Sequence, residues 1–154
     1  RKTAILFAAA CHGGASLSGQ SAENRQQLRE FGLNLGIAFQ MVDDILDYDG
    51  AAHAMGKNVG DDLMEGKVTL PLIHTLRVGD ARERQLVQRA ITEKSAAEIE
   101  QVISAVKRCG ALDYTRERAR HYHDLAMQNL TTLPHSDARS ALERLTSIAI
   151  NRDH

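Results

Sequence analysis

The amino-acid sequence predicts an all-α fold, and three features of the chain support this prediction. Only two of its 154 residues are proline, a residue that interrupts helices. Apolar residues recur three or four positions apart over long segments, as they do on the buried face of a helix. No segment shows the alternation of polar and apolar residues that is typical of a half-buried strand. The composition, 43% hydrophobic and 25% charged, suits one globular domain.

Charge and residue usage argue against several classes of function. Nineteen basic and 20 acidic residues give a net charge of −1, so we expect no nucleic-acid partner. No apolar run approaches the ~20 residues that a membrane-spanning helix needs. Cys11 and Cys109 lie far apart without metal-binding spacing, and we expect reduced thiols in a cytoplasmic protein.

The first part of the chain is predicted to form two helices. Residues 2–16 are rich in small side chains, and Gly13-Gly14 is expected to end this first helix. Ser21 is a suitable N-cap for a long second helix that reaches about Tyr48. Its buried face is marked by apolar residues three or four positions apart, namely Leu28, Phe31, Leu35, Phe39, Val42 and Leu46.

A polar loop with several glycines, Gly50 to Gly66, comes before the remaining helices. Loops of this length without structure of their own are usually functional or disordered, and we expect this one to close over bound substrate. Capping signals then predict further helices. In order, these are a short helix capped by Thr69, one from Asp80 (with Glu83) to about Lys94, one from Ser95 (with Glu98) to Gly110, and helices over 111–131 and 137–151.

The stretch Phe39-Gln-Met-Val-Asp-Asp-Ile-Leu-Asp-Tyr-Asp49 places acidic residues inside an otherwise apolar helix. Asp43, Asp44 and Asp47 stand at i, i+1 and i+4, on one side of the helix, with Gln40 one turn earlier. Carboxylates held together near a core repel one another, and this arrangement is costly without a cation to balance their charge. Mg²⁺ accepts a few carboxylate oxygens and completes its shell with water and substrate phosphates. We therefore predict a Mg²⁺ site at these aspartates.

Cations and hydroxyls elsewhere in the chain would suit a phosphorylated ligand. Lys2 and Thr3 offer donors for phosphate oxygens. The loop sequence GKNVGDDLMEGKVTLP, residues 56–71, adds Lys57 and Lys67, and its glycines allow the backbone to bend close to a ligand. Each feature alone is common, since an acidic helix is more often simply a solvated face. Together they predict a site for a Mg²⁺-bound diphosphate.

Lys2-Thr3, the run from Phe39 to Asp47 and the loop over 56–71 together resemble the second half of a trans-isoprenyl diphosphate synthase. The likeness is to the bacterial long-chain, octaprenyl-type branch that makes quinone side chains. Specific motifs carry it through Leu76, and beyond that it rests on a generic helical pattern. It implies an all-α, isoprenoid-synthase-type bundle in which two aspartate-rich motifs face each other across a central cavity.

The resemblance also implies a metal site and a reaction. Asp43, Asp44 and Asp47 match the second aspartate-rich motif, with Asp43 as the most direct Mg²⁺ ligand. The implied reaction joins isopentenyl diphosphate head to tail with an allylic diphosphate to make a long all-trans polyprenyl diphosphate. Diphosphate leaves the allylic substrate, the double bond of isopentenyl diphosphate attacks the cation, and a proton is lost. The assembly implied is a homodimer.

Five further residues match positions of the family that bind substrate. Lys2 and Lys57 match lysines that hold the allylic diphosphate. Thr3 and Gln40 match residues that line the same substrate and stabilise the developing cation. Lys67 matches the second lysine of the loop, near the diphosphate at the mouth of the cavity.

The chain also departs from the family pattern. The first aspartate-rich motif and the residues that bind isopentenyl diphosphate lie upstream in that pattern and are not found in these 154 residues. We therefore expect residues 1–154 to be the C-terminal part of one all-α synthase domain and to be inactive alone. In the intact enzyme, Asp43→Ala should remove most activity and Asp49→Ala should do little.

Two other functions of helical bundles are alternatives, and the sequence excludes the second. A non-catalytic subunit of a heteromeric prenyl synthase would keep the same fold, although every motif side chain present is chemically competent. Another DDxxD motif, encoded upstream of Arg1, would favour the enzyme. A carboxylate-bridged di-iron bundle would need Glu-x-x-His pairs on facing helices, which the chain lacks.

Overall fold

The structure, a computed structural model, describes residues 2–49, 60–95 and 97–151. All regular secondary structure within these ranges is helical. The helices are α1 (Lys2–Leu17), α2 (Ala22–Asp49), α3 (Asp61–Met64), α4 (Leu70–Val78), α5 (Ala81–Glu93), α6 (Ile99–Arg108), α7 (Ala111–Thr131) and α8 (Asp137–Ile150). The all-α prediction is confirmed. No helix in the described part of the chain is both long and apolar enough to cross a membrane.

Helix α1 runs past the predicted stop at Gly13-Gly14 and ends at Leu17. Neither of these glycines has a positive φ, whereas Gly19 does, at +68°. The Gly19 N–H donates to the Ser16 carbonyl oxygen at 3.2 Å. The helix therefore ends where a left-handed residue closes the last turn. The predicted range of 2–16 is confirmed to within one residue, whereas the Gly13-Gly14 stop was wrong.

The predicted start of α2 is confirmed. Ser21 Oγ accepts a hydrogen bond from the Asn24 N–H at 3.1 Å, so Ser21 caps the helix. Its predicted apolar face is buried at Phe31, Leu35, Val42 and Leu46 and partly buried at Leu28 and Phe39.

The capping box predicted for α5 is confirmed, but the one predicted for α6 is wrong. Asp80 accepts from the Glu83 N–H while Glu83 accepts from the Asp80 N–H, each at 2.8 Å. Helix α6 begins at Ile99 without a side-chain cap. The carboxylate of Glu98 instead accepts from the Arg89 guanidinium, at 2.9 Å from Nε. That bond takes the side chain away from the backbone it was expected to cap.

The predicted loop over 50–66 is only partly described. A short helix, α3, occupies Asp61–Met64 within it, after Gly60 with a φ of +86°. Residues 50–59, which include Lys57, lie outside the described residues. The expected closure of this loop over substrate therefore stays a prediction.

The described residues form two compact units. The first contains those up to Val42 and those from Arg118 onward, and its core comprises Phe31, Leu35, Ala126, Leu130 and Ala149. Within it α1 and α2 pack so closely that a Cβ on Gly36 would lie 2.6 Å from the Ala4 Cα. The glycine is therefore needed for this contact.

The second unit contains the described residues from Asp43 to Glu117. Its core is formed by Tyr48, Leu63, Leu72, Val87, Ala90, Val102, Val106, Ala111 and Leu112. The last turns of α2 thus belong to a core built mainly by α4, α5 and α6. That the whole chain is one domain stays a prediction.

Candidate metal and diphosphate site

The acidic residues at the end of α2 do not form a solvated surface. Asp44 and Asp47 are buried, with 8% and 7% of their surface exposed, and Asp43 is partly buried. Buried carboxylates are rare because they lose the hydration that stabilises their charge. The interpretation as an ordinary acidic helix face is therefore wrong for Asp44 and Asp47.

Asp47 has a buried carboxylate oxygen, Oδ2, that no described group hydrogen-bonds. Burial, together with the negative charge of Asp62, raises the pKa of the Asp47 carboxyl to about 6. A carboxylate oxygen left without a donor costs free energy that a bound cation would recover. This position therefore fits a divalent cation.

The three aspartates do not form a closed metal site by themselves. Among the described residues, no group of three or more His, Cys, Asp or Glu side chains is arranged to hold a metal ion. Mg²⁺ commonly takes only one or two protein carboxylates and completes its shell from water and substrate phosphates. An open, partly protein-made site suits such an ion, and the Mg²⁺ assignment stays a prediction.

Lys67 lies within an acidic segment next to this site. Its Nζ is 2.7 Å from Asp62 Oδ1 and 2.7 Å from Glu65 Oε2. Hydrogen bonds to these two carboxylates raise the pKa of the Lys67 amine. Because Asp62 also acts on the pKa of Asp47, the structure brings the predicted lysine and the predicted metal ligand into one charged neighbourhood.

Tyr48 and Thr69 join the end of α2 to the start of α4. Thr69 Oγ1 donates to the Tyr48 hydroxyl oxygen at 3.3 Å, and both residues are buried. Burial raises the pKa of the Tyr48 phenol, which is therefore neutral. Helix α4 begins directly after Thr69, as predicted, but the Thr69 side chain makes no capping hydrogen bond to it.

Sequence reasoning missed a basic pair at the last residue of α2. Arg116 Nη2 lies 2.5 Å from Asp49 Oδ2, and Lys107 Nζ lies 3.9 Å from Asp49 Oδ1. Arg116 comes 67 residues after Asp49, so no local spacing could have indicated the contact.

The other predicted binding residues are placed as follows. Lys2 is exposed and Thr3 is partly buried in the first turn of α1, and Gln40 is partly buried in α2. These three lie in the first unit, and Lys57 lies outside the described residues. Their substrate-binding roles stay predictions.

Two cavities lined by described residues contain none of the predicted site residues. One, of about 630 Å³, lies against α5 and α6 and is lined by residues such as Arg82, Arg89 and Arg108. The other, of about 550 Å³, is mostly apolar and is lined by α1, α2, α8 and the segment joining α7 to α8.

Comparison with known proteins places the chain in a family. The family model described as polyprenyl synthetase matches residues 1–108. The all-trans-nonaprenyl-diphosphate synthase (geranyl-diphosphate specific) of Rhodobacter capsulatus is 46% identical over 151 residues, covering 98% of this chain and 46% of that protein. The octaprenyl diphosphate synthase of Escherichia coli (strain K12) is 42% identical over 153 residues. This match covers 99% of this chain and 47% of that protein.

A solved structure gives the same result at the level of the fold. The polyprenyl synthase of Caulobacter crescentus CB15, complexed with calcium and isoprenyl diphosphate, superposes with a TM-score of 0.89 at 42% identity. The match covers 99% of this chain and 47% of that one, so the chain spans about half the length of its relatives. This confirms the predicted isoprenoid-synthase-type fold and the predicted resemblance. The chain belongs to the polyprenyl synthetase family.

Proposed function

We propose that this chain is the C-terminal part of one catalytic domain of a Mg²⁺-dependent, octaprenyl-type polyprenyl diphosphate synthase that serves quinone biosynthesis. The enzyme condenses isopentenyl diphosphate head to tail with an allylic diphosphate. The observation that carries this proposal is the buried Asp47 Oδ2 without a donor, in a family whose relatives are named for long-chain prenyl diphosphates.

The aspartates of α2 hold the cation in this proposal. Asp43 and Asp44 bind it alongside Asp47, whose unpartnered oxygen gives the strongest local reason for a cation. The calcium named for the Caulobacter crescentus structure supports a divalent ion. When bound, Mg²⁺ supplies electrostatic stabilisation of the negative charge that develops on the departing diphosphate.

Lysines and polar groups bind the substrate diphosphate. Lys2 and Lys57 hold the allylic diphosphate, and Thr3 and Gln40 line the same substrate. Lys67 binds the diphosphate after it releases its present carboxylate partners, Asp62 and Glu65. This exchange costs little, because the Lys67 side chain is 56% exposed and exposed ion pairs contribute little stability.

The enzyme is proposed to be a cytoplasmic homodimer. Cys11 and Cys109 are both free thiols, which suits a reducing compartment. Exposed apolar residues of α1, including Ile5 at 60% and Leu6 at 69%, offer surface for burial against further protein.

An assay of the full-length enzyme tests the function. Labelled isopentenyl diphosphate with farnesyl diphosphate and Mg²⁺ should give long-chain products, and chelation should stop the reaction. The 154-residue chain alone should give none. Absence of product from the full-length protein would contradict the proposal, and product that forms only after a second subunit is added would favour the heteromeric alternative.

A further inference from the structure

The C-terminal end of α2 has an inherent tendency to unwind. The last four carbonyl groups of any helix lack partners within the helix, and helix ends fray. Asp43, Asp44, Asp47 and Asp49 all stand in the last two turns of α2. Negative side chains there oppose the negative end of the helix dipole. Contacts from outside the helix must therefore hold these turns in place.

Arg116 supplies a short contact of this kind within the second unit. Its Nη2 atom lies 2.5 Å from Asp49 Oδ2, and the two side chains are only 32% and 35% exposed. Lys107 adds a second, weaker cation at 3.9 Å. Both cations stand beside the last residue of the helix, where positive charge is favourable.

Arg116 is itself carried by a well-fixed part of the unit. The first turns of α7 are buried at Ala111, Leu112 and Thr115, and Thr115 Oγ1 donates to the Ala111 carbonyl oxygen at 2.7 Å. The guanidinium therefore projects from a rigid turn. An ion pair to such a support restrains α2 more than a pair between two mobile side chains would.

We propose that Arg116 is a positioning residue that holds the metal-binding turns of α2 in place through Asp49. The inference rests on the proposed function, because it takes Asp43, Asp44 and Asp47 as cation ligands. Asp47 precedes Asp49 by two residues, so unwinding that starts at the helix end reaches Asp47 before the other two proposed ligands, Asp44 and Asp43. The expectation from sequence that Asp49→Ala does little takes no account of this contact, and Asp49 is now expected to matter.

The test compares Arg116→Ala and Asp49→Ala with Asp113→Ala in the full-length protein, without metal for hydrogen exchange and with added Mg²⁺ for activity. Asp113 is a matched control because it also bonds Arg116, at 3.0 Å, but its side chain is 82% exposed. Amide hydrogen exchange over residues 44–49 should accelerate about fivefold in the first two variants and not in the control. The Mg²⁺ concentration for half-maximal activity should rise by about the same factor.

A charge exchange and a conservative variant complete the experiment. Asp49→Arg combined with Arg116→Asp should recover most of the slow exchange, and Arg116→Lys should fall between the wild type and Arg116→Ala. If Arg116→Ala lowers only the melting temperature, while exchange over 44–49 and half-maximal Mg²⁺ stay unchanged, the inference is wrong. If the wild-type enzyme shows no prenyl transfer, the proposed function fails, and the exchange measurement still decides whether Arg116 holds the helix end.

Discussion

Two buried acids in the second unit have opposite environments. Asp47, in the last turns of α2, is 7% exposed and has an oxygen without a donor. Glu83, at the start of α5, is 8% exposed and accepts from the Asp80 N–H at 2.8 Å, Arg108 Nε at 3.0 Å and Cys109 Sγ at 3.3 Å.

The pKa values of these two acids shift in opposite directions. Burial raises the pKa of Asp47 to about 6, whereas the Asp80 N–H and Cys109 lower the pKa of Glu83. Burial alone therefore does not identify a functional acid. A buried carboxylate whose partners are complete stabilises the fold, and one whose partners are incomplete is a candidate for binding something from outside.

The largest expected effect comes from removing an acid of α2. Asp43→Ala in the full-length enzyme should lower kcat by about 10²- to 10³-fold, because electrostatic stabilisation of the leaving group acts mainly in the transition state. Steady-state kinetics at saturating Mg²⁺ measures this. Asp124→Ala, at an acid that is 71% exposed on α7, should retain full activity. Equal losses of kcat in Asp43→Ala and Asp124→Ala would contradict the assignment of the metal site to α2.

Removing Glu83 should give the opposite pattern. Glu83→Ala leaves Arg108 and the Asp80 N–H without their acceptor, so the melting temperature should fall by several degrees while the affinity for metal stays unchanged. Because the pKa of Glu83 is lowered in the folded state, its stabilisation is present above its unfolded pKa. It is lost as pH falls through the folded value. A metal-binding defect without a loss of thermal stability would contradict the comparison.

Asp47→Asn should stabilise the metal-free protein while weakening metal binding. The folded pKa of about 6 exceeds the ordinary value of 3.8, so the free energy of unfolding of the wild type falls as pH rises from 3.8 to 6. Asn carries no charge to bury. The free energy of unfolding of Asp47→Asn should therefore exceed that of the wild type by about 1 to 3 kcal/mol above pH 6. At the acid end of this range the two values should be equal. Denaturant unfolding across this range, with chelator present, measures the difference.

The smallest effect is expected at the link between α2 and α4. Thr69→Val keeps the shape of the side chain and removes one long hydrogen bond to Tyr48, so stability should fall by about 1 kcal/mol or less. Half-maximal Mg²⁺ should not change. A clear increase in that concentration would show that Thr69, and not only Arg116, holds the aspartates in place.

The sequence predicted most of the helices because their signals are local. Ser21 and the Asp80–Glu83 pair act on backbone groups within one turn, so their capping roles can be recognised from spacing alone. The misassigned Ser95–Glu98 pair shows the limit of this reasoning. Glu98 has the right spacing, but Arg89 on α5 competes for it, and no local pattern reveals such a competitor.

In the candidate site, too, the sequence predicted the local features and missed the tertiary contacts. Asp43, Asp44 and Asp47 could be singled out because helix geometry fixes their relative positions. The missing donor at Asp47, the Tyr48–Thr69 contact and the Asp49–Arg116 pair depend on tertiary packing between distant segments. Sequence spacing therefore identified the acids but could not say which of them lacks a partner.

Direct measurement of cation binding tests the central claim that the end of α2 is a metal site. Mn²⁺ binding to the full-length protein can be followed by electron paramagnetic resonance, with an unreactive allylic diphosphate analogue present. We predict that Asp43→Asn and Asp47→Asn each weaken binding strongly or remove an ion, whereas Glu83→Gln binds as the wild type does. Unchanged Mn²⁺ stoichiometry and affinity in both α2 variants would contradict the claim.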